Sequence, residues 1–303
     1  MDPTTTPEEM ELPIDMGSGT SSFLHCYETL IPDLLIVIIA LVGMAGNGVV
    51  IHLQGCWMRR NTISVYILNL AASDFLLLCC YFIGSLLVLC LGRTYIYNPA
   101  IYANIAIIPY ITGLSILSAI SIERCLCVLW PIWYRSHRPR YTSAVVCTLF
   151  WTLSLFLGIL DWYHSDFLDE VSGKSVGWKN VDFIIIAWLT FLFLTLSMSS
   201  LALAVKVLHR GSQRKPLTRL YLTILVTVLV FLICGLPFGI YWFLLFWLPV
   251  PAHHFLCHPY SVPIVLSCIN SCANPIIYFL IGSFRQQHKT LKLALQRALQ
   301  DSS

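Results

Sequence analysis

Few residues in this chain are placed to do chemistry. Asp74 ends the run Leu70-Ala71-Ala72-Ser73-Asp74 inside a long apolar stretch, where an acid is expensive to keep and usually functional. Glu123 and Arg124 are adjacent in Ser121-Ile122-Glu123-Arg124-Cys125. An arginine at a helix end can be held by a neighbouring glutamate in one state and released to a partner in another, which makes a two-state switch; the alternative is an arginine that merely snorkels to an interface. Gly46-Asn47 and Asn270, Ser271 and Asn274-Pro275-Ile276-Ile277-Tyr278 complete the set. Asparagine amides near one carboxylate form a polar cluster, and Pro275 distorts the helix that carries Tyr278. Intramembrane proteolysis would need two apposed aspartates or a Ser/His pair, and Asp74 is the only acid within the apolar runs.

These residues must be positioned by helices in a bilayer. Of the 303 residues 57% are hydrophobic and 11% are charged, against about 25% charge in a soluble domain. That shortage excludes a water-facing surface, and with it nucleic-acid binding as the main activity. A bilayer core needs about 20 apolar residues per helix. Seven stretches free of Lys and Arg qualify: Leu34–Leu53, Ser64–Leu91, Ala100–Ile122, Thr142–Leu160, Phe183–Val205, Leu220–Val250 and Phe255–Ser283. The predicted fold is an all-α seven-transmembrane helix bundle. The loops are short except for Asp161 to Asp182.

Cations near span ends stay on the cytoplasmic side. Of the 18 Lys and Arg residues, 15 fall in one set of loops and only Arg93, Lys174 and Lys179 in the other. The N-terminus is therefore expected outside and the C-terminus inside, with about −9 on the outer face and +13 on the inner. Three parts follow: an acidic extracellular segment over 1–30, the seven-helix bundle over 31–283, and a cytoplasmic tail over 284–303. In the tail Phe284, Leu291, Leu295, Ala298 and Leu299 recur with helical spacing between cations, which reads as an amphipathic helix on the anionic inner leaflet. Residues 1–30 lack a basic segment followed by an apolar run, so the first span is expected to serve as its own insertion signal. Most of the 12 cysteines lie in or near spans as small packing residues. Cys26 and Cys257 fall in the oxidising outer compartment and could pair.

The motifs in order resemble the rhodopsin-like (class A) G-protein-coupled receptors: Gly46-Asn47, Leu70 to Asp74, Glu123-Arg124-Cys125, Trp151, Pro237 and Asn274-Pro275-x-x-Tyr278 on six successive spans. The strings Met58-Arg59-Arg60-Asn61, Ser64-Val65-Tyr66-Ile67-Leu68-Asn69-Leu70, Leu129-Trp130-Pro131-Ile132-Trp133-Tyr134 and Cys234-Gly235-Leu236-Pro237-Phe238-Gly239 sharpen this to a resemblance to the Mas-related family. The resemblance covers residues 31 to 300. It implies a plasma-membrane receptor that senses cationic peptides or amphiphiles in itch or pain neurons or mast cells. It implies a heterotrimeric G protein of the Gq or Gi type as partner, with Glu123, Arg124, Pro131, Ile132 and Tyr278 at the coupling face. No enzyme activity and no cofactor are expected, and the seventh span has no lysine to hold retinal. An ion-coupled transporter or channel using Asp74 is the alternative, weakened by a lone carboxylate and no internal repeat.

Departures from the wider family carry information too. Gly235 stands where most class A receptors have a tryptophan, and the fifth span has no proline. Gly113 occupies a position where many receptors have a sodium-coordinating serine, which favours a structural polar cluster at Asn47, Asp74, Asn270, Ser271 and Asn274 over a metal site. Ala106 replaces the aspartate of amine receptors. In Mas-related receptors acids at the places of Asp161 and Asp182 take the basic group of the ligand; their other reading is helix-end acids facing water, with Asp182 favoured at a helix N-terminus. Tyr110, Trp242 and Trp247 would line the same mouth and offer cation-π faces, or belong to the interfacial aromatic belt.

The cation count makes a topological prediction. A tag at residue 1 should label on intact cells, whereas a tag after Ser303 should label only after permeabilisation; the opposite pattern would overturn the assigned orientation.

Overall fold

The computed structural model describes residues 18–56, 62–91, 99–171, 176–210, 226, 229–240 and 261–283. Cys257, Trp242, Trp247 and the tail over 284–303 lie outside the described residues, as do the side chains of Cys26, Asp182 and Tyr278. Every described element is a helix, as expected where no water can satisfy a backbone. They run α1 Ser18–Cys56, α2 Thr62–Leu91, α3 Pro99–Leu129, α4 Pro131–His137, α5 Thr142–Val171 and α6 Val176–Arg210. The described apolar part of α7, Phe231–Ile240, and α8, Ser261–Ser283, follow. Among the described residues five helices hold stretches long and apolar enough to cross a membrane, namely Ile31–Cys56, Ile63–Leu91, Ile105–Leu129, Thr142–Tyr163 and Phe183–Leu203. The apolar parts of α7 and α8 fall inside the sixth and seventh predicted spans.

The helices outrun the apolar stretches that announce them. α5 has 30 residues, about 45 Å at 1.5 Å per residue, against a hydrocarbon core of roughly 30 Å. It continues past Leu160 to Val171, and α6 begins at Val176. The expected long loop from Asp161 to Asp182 is therefore largely helical, with only 172–175 between the two helices. Likewise α1 starts at Ser18, within the segment expected to be an extracellular extension. Hydropathy marks where lipid ends, while backbone hydrogen bonding carries the helix onward.

α4 is a two-turn helix. Pro131 pre-sets its first turn. Arg138, which precedes Pro139, adopts φ −75 and ψ 118, the extended geometry that a following proline imposes.

α3 is the central post. In its membrane window 72% of residues are buried, against 28% in each of the other four. It packs against α2, α5 and α6, while α1 packs against α2 and α8. One half of the core gathers Ile107, Ile111, Leu78 and Phe238. The half nearer the cationic loops gathers Ile116, Leu196, Phe231 and Tyr66. Gly158 of α5 faces Ile108 of α3 so closely that even a methyl group there would collide with it. On the outside of α5, Val145, Leu149, Phe156 and Ile159 are exposed at spacings of three, four and seven, one helical face left for lipid.

The central role of α3 can be tested by truncation. Ile116 is fully buried, so Ile116→Ala should cost about 2–5 kcal/mol through lost packing. Ile159, 60% exposed, should tolerate the same change. Thermal denaturation of the purified protein in detergent should separate the two, and equal midpoints would contradict the central placement.

Candidate functional site

At the middle of the bundle the predicted polar cluster is assembled. The Asn274 amide donates to Asp74 Oδ2 at 2.8 Å, joining α8 to α2. The Asn47 amide donates to the Ser271 carbonyl at 3.1 Å and to the Gly43 carbonyl at 3.0 Å, joining α1 to α8. The side chains of Asn47, Asp74, Ser271 and Asn274 are all buried. Asn270 is different: its amide carbon lies 3.2 Å from where a Gly235 Cβ would stand, so it faces α7. A Cβ at Gly113 would meet Ser73 Oγ at 3.1 Å and Asp74 Oδ1 at 3.9 Å. The missing side chain on α3 thus lets α2 bring its serine and acid close.

At the end carrying the cationic loops, Glu123 collects a second cluster. Arg138 grips the carboxylate with Nη2 at 2.7 Å from Oε1 and Nε at 2.9 Å from Oε2. Tyr134 donates to Oε2, and Tyr66 of α2 donates to Oε1 at 3.2 Å. The Arg138 guanidinium also donates to Ser143 Oγ of α5 at 2.7 Å. Burial opposes the charge on Arg138, but the hydrogen bonds and charge of Glu123 outweigh it and hold the guanidinium above its ordinary value. The Tyr134 hydroxyl is pushed up as well, first by burial and then by Glu123. It stays protonated and donates. Arg124 is buried, 6% exposed, one residue farther along.

Nearer the other end, Tyr110 is buried rather than lining an open mouth. Its hydroxyl donates to the Gly235 carbonyl at 3.1 Å, and its ring meets Phe238 edge-on at 4.9 Å. A Cβ at Gly239 would sit 2.9 Å from that hydroxyl. Asp161, ten residues before the end of α5, is 7% exposed. Asp182 lies six residues into α6, so it does not cap that helix.

The comparisons with known proteins agree with this geometry. Residues 46–278 match the family described as 7 transmembrane receptor (rhodopsin family). Mas-related G-protein coupled receptor member X1 of Mus musculus is 55% identical over 307 residues, covering 100% of this chain and 93% of the relative. Member X1 of Rattus norvegicus and member X2 of Homo sapiens are each 53% identical, covering 100% and 99% of this chain and 93% of each relative. This chain is a Mas-related G-protein-coupled receptor of the rhodopsin family. It is a multi-pass protein of the plasma membrane, and a ligand and a G protein are the partners that class implies.

Within the receptor the structure redistributes the expected site residues. Asn47, Asp74, Ser271 and Asn274 come together, with Ser271 contributing its backbone to Asn47. Glu123 is gripped by Arg138 and Tyr134 rather than by a neighbour on its own helix. Pro131 and Ile132 are exposed on α4, Ile132 at 85%. Sequence reasoning misses Tyr66, Tyr134, Arg138 and Ser143 as partners of this site. No periodicity links them to Glu123, and only Tyr66 and Tyr134 fall within the family strings. Among the described residues ten cysteines are free, with Cys147, Cys268 and Cys272 buried and Cys56, Cys90 and Cys127 exposed.

A double-mutant cycle measures the Glu123 cluster. With Glu123→Gln and Arg138→Gln the coupling should be about 1.5–3 kcal/mol, the range for hydrogen bonds to charged groups. A coupling near zero would mean that the pair is a solvent-screened loop contact.

Proposed function

We propose that this receptor binds a cationic peptide or amphiphile at its acidic outer end and signals through Gq and/or Gi, serving itch or pain neurons or mast cells. The observation that carries the ligand class is Asp161, a carboxylate more than nine-tenths buried in the outer part of α5. It belongs to an end of the molecule whose formal charge is about −9. An acid kept in that setting favours a cationic partner over a neutral or anionic one. Asp182 on the neighbouring helix supports the same reading by its place in the sequence, and Trp242 and Trp247 are proposed to add aromatic faces.

The coupling half of the proposal rests on the opposite end. α4 presents Pro131 and exposed Ile132, fixed to the bundle through Tyr134 and Arg138. Arg124 adjoins Glu123 on α3, and Tyr278 of α8 completes the proposed face by its position in the sequence alone.

Calcium release in cells expressing the full chain, challenged with a panel of cationic peptides, tests the ligand class. A charge-assisted contact is worth roughly 1.5–3 kcal/mol, and about 1.4 kcal/mol is tenfold. Asp161→Asn should therefore lower the potency of a basic agonist about tenfold or more, and added salt should weaken only the pull of the exposed outer charges. Unchanged potency in both Asp161→Asn and Asp182→Asn would overturn the cationic reading.

A further inference from the structure

Among the described residues, the side-chain bonds of helix α4 to the bundle converge on one carboxylate. Pro131, Ile132, Trp133, Ser136 and His137 are all exposed, while Tyr134 is half-buried. Its anchors are the Tyr134 hydroxyl and, just beyond its end, the Arg138 guanidinium, both on the Glu123 carboxylate. Two turns are too few to be stable alone, so beyond its backbone junction with α3 through Trp130 the helix leans on that carboxylate.

Ser136 lies one residue before the end of this helix and two before Arg138. Its hydroxyl is shared between the Ile132 carbonyl at 3.0 Å and the Trp133 carbonyl at 3.2 Å, and it contacts His137 Nδ1 at 2.7 Å. The flanking sequence is Arg135-Ser136-His137-Arg138-Pro139-Arg140, cations on both sides of an exposed hydroxyl. We propose that Ser136 is a phosphorylation site for a basic-directed serine/threonine kinase, and that its phosphate draws Arg138 away from Glu123 and releases α4. The cytoplasmic location this requires rests on the orientation and coupling face proposed above.

In the transfer, Ser136 Oγ attacks the γ-phosphorus of ATP. The Oγ–P bond forms, the bond from that phosphorus to the β,γ-bridging oxygen breaks, ADP leaves, and the hydroxyl proton passes to the kinase's base. The hydroxyl must first leave the Ile132 and Trp133 carbonyls, which a marginal two-turn helix permits. Two effects of the product then act in one direction. A phosphate near a helix C-terminus opposes the helix dipole, and its oxygens compete with Glu123 for the guanidinium.

The test uses the full chain in lipid nanodiscs with protein kinase C and Mg·ATP. Mass spectrometry should find phosphate on Ser136 and none at that position in Ser136→Ala. Amide hydrogen exchange of the segment 131–143 should then quicken about tenfold or more in the phosphorylated protein, the consequence of losing one charge-assisted contact. Glu123→Gln should quicken the same segment without any phosphate. No phosphate on Ser136 while other serines are labelled, or stoichiometric phosphate with unchanged amide exchange, would overturn the proposal. Amide exchange needs no G protein, so the result stands apart from the coupling reading: agonist-driven nucleotide release from a G protein by the unmodified receptor tests that separately.

Discussion

A polar group in hydrocarbon has no water to turn to, and that constraint shapes α3 from end to end. Thr112, Ser115, Ser118, Ser121, Glu123 and Arg124 are all buried on this one helix. Thr112 donates to the Ile108 carbonyl at 2.9 Å and Ser115 to the Ile111 carbonyl at 2.8 Å. Across to α6, Trp188 Nε1 donates to Ser115 Oγ at 3.3 Å, Ser118 donates to the Leu192 carbonyl at 3.4 Å, and Ser121 and Ser199 share a hydrogen bond of 2.6 Å. Each such contact in a membrane is worth only about 0.6 kcal/mol on average. Their value is register, because a one-residue slip of α6 along α3 would unmake all three together.

The sixth span departs from regular α-helix in its described part. α6 contains no proline. α7 contains the π-turn Phe231–Gly235, in which the Leu236 N–H donates to the Phe231 carbonyl. Pro237 follows and has no N–H for the carbonyl four residues back. Tyr110 hydrogen-bonds into this turn through the Gly235 carbonyl. A side chain at Gly235 would meet the Phe231 ring at 2.6 Å, so the residue that departs from the wider family pattern is the one that lets the ring fold back over the turn.

Much of this was legible in the sequence, and the parts that were not share a physical reason. Spans followed from apolar length because bilayer thickness sets that length. Helix ends did not, because nothing in hydropathy stops a backbone at the lipid boundary, as Asp161 and Val171 show. Asp74 with Asn274 and Asn47 with Ser271 could be grouped because polar residues inside apolar spans have few places to go. Tyr110 reads from sequence as an aromatic at a mouth, but its depth depends on how α7 folds over it. The partner of Glu123 was beyond reach: Tyr66 lies 57 positions away and Arg138 lies 15.

The partners of Glu123 described above lie off its own helix, and helix geometry gives the reason. Successive residues on a helix point about 100° apart, so neighbours do not face one another. Glu123 reaches Tyr66 of α2, Tyr134 of α4 and Arg138 beyond it, and Arg138 carries the link on to Ser143 at the start of α5. One carboxylate thereby ties together four elements through Tyr66, Tyr134, Arg138 and Ser143. The shape of the exposed α4 surface follows from Glu123, whereas whatever Arg124 contributes comes from a different side of the same helix. A substitution at one therefore need not reproduce a substitution at the other, even though the two residues share a peptide bond.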